Sequence, residues 1–147
     1  MSVDFQFRNK KRMWSRNGTP TFAALKKLFE SGKIRGVSIV PLPKENRLYP
    51  VPAFSVNGGG DCWLHFYDTG KYPTIKMSHF DHIERAVAVL EKVAAIFDVV
   101  VLNDLDHGDS EIWAGKPKTK KILIGKSSFG IKLKPIDLSF RIKKQRI

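Results

Sequence analysis

Residues 78–103, SHFDHIERAVAVLEKVAAIFDVVVLN, contain the clearest helical pattern of the chain and, directly after it, the clearest strand. Apolar residues recur there at spacings of three and four: Phe80, Ile83, Val87, Leu90, Ala94 and Phe97. This spacing predicts an amphipathic helix over about residues 79–97. Ser78 and Asp81 resemble a capping box at its start. The β-branched run at 98–103 is typical of a buried strand.

A shorter helix is predicted nearer the N-terminus, over about residues 20–31. Thr19-Pro20-Thr21 supplies a capping hydroxyl and a proline suited to the first turn. Phe22, Leu25, Leu28 and Phe29 then follow at helical spacing: they predict one apolar face. Gly32 is a typical helix stop.

The segments around these helices have the pattern of strands and turns. Upstream of the long helix, strands are predicted at 36–40, 48–56, 61–68 and 72–77, and Asn57-Gly58-Gly59-Gly60 is typical of a hairpin turn. Downstream, residues 111–114 are expected to pair back on 98–103, and further strands are predicted at 120–124, 129–134 and 136–142. These elements predict an α+β fold with a curved antiparallel sheet packed on the long helix.

The first 18 residues have a different character. Five basic residues surround Trp14, and Asn17-Gly18 marks a turn before the first helix. The basic residues are Arg8, Lys10, Lys11, Arg12 and Arg16. We therefore predict a basic flexible arm at 1–18 and a single α+β domain at 19–147.

The chain of 147 residues carries 26 Lys and Arg against 14 Asp and Glu, for a net charge of +12. The charge is divided into blocks. Residues 1–40 hold nine basic and two acidic residues, and residues 116–147 hold eleven and one. Residues 78–115 reverse this, with two basic and eight acidic residues. Basic ends around an acidic centre indicate an interaction surface, and a polyanion is the partner that such ends favour.

Several classes of protein do not fit the sequence. Gly125-Lys126-Ser127 resembles the end of a phosphate-binding loop, but the glycine required five residues earlier is Lys120. The single cysteine, Cys62, excludes an internal disulfide and a cysteine-based zinc site, and its position among aromatic residues predicts a buried thiol. We expect no cofactor and no enzymatic activity.

The sequence also bears on where the chain resides. No apolar run reaches the roughly 18 residues that a membrane-spanning helix needs. The first residues, MSVDFQFRNKKRMW, do not have the apolar stretch of a secretory signal. We expect a cytoplasmic or other intracellular location, no secretion and no membrane partner.

The leading hypothesis is binding of nucleic acid, DNA or RNA, and in particular of a single strand. Trp63, His65 and Tyr67 share one face of a predicted strand, where they could stack on bases or lie buried in a two-sided core. Basic residues of the arm and the sheet would follow the phosphates: Arg8, Lys10, Lys11, Arg12, Arg16, Lys76, Lys118, Lys120, Lys121, Lys126, Lys132, Lys134, Arg141 and Lys143. Replacing Lys132, Lys134 and Arg141 with Glu should abolish binding.

Residues 47–97 resemble the four-strand-and-helix unit of the positive-cofactor-four coactivators and the whirly-type single-stranded DNA-binding proteins. The resemblance is carried by Tyr72-Pro-Thr-Ile-Lys-Met-Ser-His-Phe-Asp-His-Ile, where a strand bearing a lysine leads to a polar cap and a helix. It implies contacts to single-stranded DNA from Trp63, Tyr67 and Lys76, and a homodimer supported by the helix. The chain departs from that family in its additional N-terminal helix and in the strands after the long helix.

Two other functions fit parts of the sequence. The first is a small, phage-like accessory or inhibitor protein whose acidic segment, 78–115, binds a nucleic-acid-processing enzyme or complex by mimicking phosphate. The second is a metal-dependent nuclease, in which Asp104, Asp106 and Asp109 would hold divalent cations at the end of a buried strand. The Asp106-His107-Gly108-Asp109 stretch is equally typical of a simple turn.

Overall fold

The computed structural model describes residues 3–12, 15–60, 62–78, 83–104, 109–115 and 132–135. Within these ranges the chain forms an α+β fold, as predicted. The helices are α1 (Phe22–Glu30) and α2 (Ile83–Phe97), and a short 3₁₀ helix spans Lys44–Asn46. The strands are β1 (Val3–Asn9), β2 (Ser38–Pro41), β3 (Ala53–Asn57), β4 (Trp63–Tyr67), β5 (Thr74–Ser78), β6 (Val99–Asp104), β7 (Asp109–Ala114) and β8 (Lys132–Pro135).

These strands, all within the described ranges, form one sheet in the order β2-β3-β4-β5-β1-β6-β7-β8. Neighbours from β2 to β7 are antiparallel, and β8 is parallel to β7. The turn at residues 57–60 joins β3 to β4 as a hairpin, as predicted. The predicted return of the chain after β6 is also confirmed, because β7 pairs antiparallel with β6.

The N-terminal segment differs from the prediction of a flexible arm at 1–18. Val3–Asn9 is a central strand that pairs with β5 on one side and with β6 on the other. Phe5 and Phe7 are each about 1% exposed and belong to the main core. The strand-like alternation of apolar residues in this segment is short, and a run of basic residues follows it directly. The prediction of a flexible arm gave the basic composition more weight than the alternation.

Both helices pack on the same face of the sheet. The ring of Phe29 in α1 lies 5.3 Å from that of Phe66 and 6.0 Å from that of Phe54, measured between centroids. Leu90 and Val93 of α2 are fully buried in the same core. One continuous apolar layer therefore lies between the helices and the sheet.

The start of the long helix lies at the edge of the described part of the chain. Helix α2 starts at Ile83, and residues 79–82 lie outside the described part of the chain. Ser78 is the last residue of β5, and Asp81, its partner in the predicted capping box, lies outside the described residues. This placement gives its hydroxyl a different partner, described below.

Strand β6 is buried on both faces, as the sequence predicted. Val99 and Val101 face the helices and belong to the main core, whereas Val100 and Leu102 point to the opposite face; all four are at most 2% exposed. Strand β8 overlaps the predicted strand region 129–134 and ends one residue beyond it. The predicted strands at 120–124 and 136–142 lie outside the described residues. None of the helices in the described part of the chain is long and apolar enough to cross a membrane.

Candidate functional site

The face of the sheet away from the helices carries a row of polar side chains across four central strands. Ser55 is paired with His65, His65 with Lys76, and Lys76 with Asp4 in the register of β3, β4, β5 and β1. Residues paired in this way point to the same face. We call Ser55, His65, Lys76 and Asp4, together with Ser78, the polar row.

His65 lies at the centre of the polar row between two serine hydroxyls. Its Nδ1 is 2.7 Å from Ser55 Oγ, and its Nε2 is 3.0 Å from Ser78 Oγ. Ser55 is 3% exposed, whereas His65 and Ser78 are half-buried. A neutral imidazole has one donor and one acceptor nitrogen, so one of these hydroxyls accepts a hydrogen bond from the ring and the other donates one to it.

Lys76 forms an ion pair with Asp4 in the same row. The distance from Lys76 Nζ to Asp4 Oδ1 is 2.5 Å. Partial burial of the ammonium group lowers the pKa of Lys76, but the hydrogen bond and the charge of Asp4 outweigh this effect and raise the pKa above its ordinary value. Lys76 Nζ also lies 5.9 Å from the centroid of the Tyr49 ring. The lysine is therefore charged and held in place at neutral pH.

The predicted aromatic platform is only partly available. Trp63 is half-buried, but Tyr67 is 3% exposed. The Tyr49 ring packs edge-on against Tyr67 at 5.2 Å, and the backbone N–H of Leu48 donates to the Tyr67 hydroxyl at 3.3 Å. The expectation that Tyr67 stacks on a base does not fit this arrangement, because other residues cover its ring.

Four of the five basic residues predicted in the arm lie in the segment that joins β1 to α1. We call Lys10, Lys11, Arg12 and Arg16 the cationic loop. The Asn9 side-chain oxygen accepts hydrogen bonds from the backbone N–H groups of Lys11 (2.9 Å) and Arg12 (3.1 Å). The Asn9 backbone N–H donates to the Ser15 carbonyl at 2.9 Å. These bonds close the segment on itself, so its charges are presented by an ordered turn and not by a free arm.

The cationic loop is attached to the turn between β4 and β5. The Arg16 guanidinium lies 4.5 Å from the centroid of the Tyr72 ring, and Lys71 Nζ lies 5.4 Å from the same centroid. Arg16 Nη2 also donates to the Pro73 carbonyl at 3.4 Å. Cation–π contacts of this kind hold Arg16 and Lys71 beside one aromatic ring, and they add Lys71 to the basic surface.

The basic side chains of the cationic loop differ in their exposure and in their ion pairing. Lys10 is paired with Asp98, at 2.8 Å from Nζ to Oδ1. Lys11 and Arg12 are exposed. Arg8 is on β1, where its guanidinium donates to the side-chain oxygen of Gln6. Lys11 and Arg12 are therefore the residues of this group best placed to meet a partner.

The predicted basic residues of the C-terminal region are described only in part. Lys132 and Lys134 belong to β8, but their side chains are not described. The others lie outside the described ranges: Lys118, Lys120, Lys121, Lys126, Arg141 and Lys143. Asp104 ends β6 and Asp109 begins β7, whereas Asp106 is not described. Among the described residues, no group of three or more His, Cys, Asp or Glu could hold a metal ion. The nuclease hypothesis stays a prediction.

Several partners of the predicted residues were not predicted from the sequence. His65 and Lys76 were predicted site residues, whereas Ser55, Ser78 and Asp4 were not. Lys71 and Tyr72, beside the cationic loop, were not predicted either. Strand alternation could have placed these side chains on a common face. Their actual pairing depends on strand register, which no local pattern encodes.

Comparisons with protein-family models, with curated proteins and with solved structures give no match to this chain. The resemblance of residues 47–97 to the positive-cofactor-four and whirly-type proteins therefore stays a prediction, as do the residue roles that it implies.

Proposed function

We propose that this protein binds nucleic acid, preferentially a single strand, through the cationic loop and the neighbouring face of the sheet. The observation that carries the proposal is the placement of Arg16 and Lys71 on the Tyr72 ring at one end of the central strands. Lys11 and Arg12, in the same cationic loop as Arg16, are exposed, and the Asn9 side chain binds their backbone N–H groups. A fixed cluster of cations neutralises phosphates without first losing the conformational entropy of a free arm. Release of the counterions bound to those phosphates supplies the affinity.

The half-buried residues Trp63, His65 and Lys76, on the face of the sheet away from the helices, suggest a path for the strand. Trp63 stands at the start of β4, and the cationic loop lies beyond its other end. Four residue steps along β4 correspond to about 13 Å. In the proposed complex the phosphates lie on the cationic loop and one base contacts the half-buried Trp63, so the nucleic acid crosses the polar row between them.

The test compares two charge-reversed variants with equal changes in net charge. Lys11→Glu/Arg12→Glu alters the exposed part of the cationic loop. Lys27→Glu/Lys33→Glu alters exposed lysines in and just after α1, on the helical side of the sheet. Binding of fluorescent single- and double-stranded DNA and RNA is followed by fluorescence anisotropy across a salt series.

The loop variant is expected to bind more weakly and to lower the slope of log K against log salt by about 2, one for each lost phosphate contact. The helix variant should retain the wild-type slope. An equal loss of affinity in both variants would show that binding follows net charge alone. Wild-type affinity in both variants would contradict the proposed surface.

A further inference from the structure

The hydroxyl of Ser78 is in contact with a potential base. Although its sequence position resembles a helix cap, Ser78 ends β5, and its Oγ lies 3.0 Å from His65 Nε2. This distance is within the range for direct proton transfer between a nucleophile and a general base. Both side chains are half-buried, so the pair is anchored in the sheet and still borders solvent.

A third residue fixes the orientation of the imidazole ring. Ser55 Oγ lies 2.7 Å from His65 Nδ1, on the side of the ring opposite Ser78. Ser55 is 3% exposed and sits in the middle of β3, directly opposite His65. When Nδ1–H donates to Ser55, Nε2 presents its lone pair to the Ser78 hydroxyl. A nucleophile, a base and a residue that orients the base are the parts of an activated serine site.

We propose that Ser78 is a nucleophile activated by His65, that Ser55 is a positioning residue, and that the site reacts with activated carboxylic esters. Ser78 Oγ forms a bond to the acyl carbon, and the Ser78 proton passes to His65 Nε2. The ester C–O bond then breaks, and the departing alkoxide takes that proton from His65. The product is an acyl ester on Ser78, which water hydrolyses to a carboxylic acid and the free serine.

The surroundings of Ser78 favour an uncharged acyl substrate over a phosphate ester. Trp63 is the cross-strand partner of Ser78, so the two side chains leave the sheet on the same face. Lys76 is the cation of the polar row, and Asp4 already neutralises it. An aromatic residue therefore neighbours the nucleophile in the register of the sheet, and the described side chains of the polar row include no unpaired cation to hold a phosphoryl group.

The first test uses the wild-type chain and p-nitrophenyl acetate. Release of p-nitrophenolate is followed by absorbance, and the protein is then analysed by intact and peptide mass spectrometry. One acetyl group is expected on the peptide that contains Ser78. Acetylation confined to lysines, or no acetylation together with p-nitrophenolate release no faster than in buffer alone, would overturn the proposal without any reliance on the folding of a variant.

The second test uses variants with matched folding controls. Ser78→Ala should abolish acylation at this site, and His65→Gln, which keeps a polar side chain but cannot take up the proton, should slow it about 100-fold or more. Ser55→Ala should also slow it, and Ser55→Thr, which keeps the hydroxyl, should restore it. Ser38→Ala, at an exposed serine of β2, should react at the wild-type rate. An unchanged rate in His65→Gln, with wild-type thermal unfolding, would contradict the role of His65.

This inference is independent of nucleic-acid binding. The Lys11→Glu/Arg12→Glu variant is expected to lose affinity for nucleic acid and to retain acylation of Ser78. Ser78→Ala is expected to lose acylation and to keep the wild-type salt slope of nucleic-acid binding, because it removes no charge. The two proposals can therefore fail separately.

Discussion

Cys62 shows how one position is constrained by several elements at once. The residue is 1% exposed, as its aromatic neighbours in the sequence predicted, and it follows the glycine turn between β3 and β4. A Cβ atom at Gly58 would lie 3.6 Å from Cys62 Sγ and 3.3 Å from Val89 Cγ2. The glycine at 58 thus lets α2 approach the hairpin closely enough to cover the thiol.

Burial raises the pKa of Cys62 from 9.0 to about 11; Arg85 opposes this shift, and Glu84 adds to it. At pH 8 only about one thiol in a thousand is then a reactive thiolate. We expect the folded protein to react very slowly with a disulfide reagent such as Ellman's reagent, and the protein unfolded in guanidinium to react at the rate of a free thiol. A fast, stoichiometric reaction of the folded chain at pH 8 would contradict the burial of Cys62.

The raised pKa of Cys62 makes the free energy of unfolding depend on pH. Because the folded pKa lies above the unfolded value, the folded state favours the protonated thiol. This contribution is fully present below pH 9 and is lost as the pH rises toward about 11. Lys76, with a raised pKa in the folded state, contributes in the same direction and loses its contribution at alkaline pH as well.

At the scale of elements, α1 closely follows its sequence signals. It was predicted at about 20–31 and spans Phe22–Glu30, with Thr21 as the N-cap. The Thr21 hydroxyl accepts a hydrogen bond from the Ala24 backbone N–H at 3.2 Å. Leu25, Leu28 and Phe29 are the buried residues of this helix, so its apolar face is the one that the spacing predicted.

Thr21→Ala is expected to destabilise the protein by about 1 kcal/mol, because the Ala24 N–H loses its partner at the end of the helix. Thr21→Ser keeps the hydroxyl and should remain close to the wild type. Chemical denaturation followed by circular dichroism measures both. Equal stability of the Ala and Ser variants would show that the hydroxyl does not act as a cap.

Strand β1 shows where element prediction fails. Phe5 and Phe7 alternate with polar residues in the manner of a strand with one buried face, but the pattern covers few residues and a basic run follows it. The strand exists because β5 and β6, distant in sequence, place hydrogen-bonding groups on both sides of it. Tertiary pairing supplied the stabilisation that local propensity did not indicate.

At the scale of the whole molecule, β1 connects the two parts of the sheet. The order β2-β3-β4-β5 lies on one side of it and β6-β7-β8 on the other, among the strands that the structure describes. The sheet therefore cannot be continuous without the N-terminal residues, whatever their charge contributes to binding.

Deletion of residues 1–9 is expected to prevent cooperative folding, because it removes the central strand and the buried rings of Phe5 and Phe7. Loss of a buried Phe side chain alone costs about 3–5 kcal/mol, a large part of the stability of a small domain. Thermal unfolding by circular dichroism and gel filtration provide the measurement. Arg12→Ala, at an exposed position of the cationic loop, is the control and should unfold like the wild type. A deletion variant that unfolds cooperatively at the wild-type midpoint would show that β1 is dispensable.

The amino-acid sequence was sufficient to predict the α+β class, both helices, the hairpin at residues 57–60, the buried strand β6 and the burial of Cys62. Each of these depends on periodicity or on turn residues within a short segment, so the physical cause lies in neighbouring residues. The tertiary structure alone placed β1 at the centre of the sheet and brought Ser55, Ser78 and Asp4 to His65 and Lys76. Asp4 and Lys76 are 72 residues apart, and their contact depends on strand register. Register follows from the packing of the whole sheet against its helices, and a shift of one residue would turn the polar row into the core.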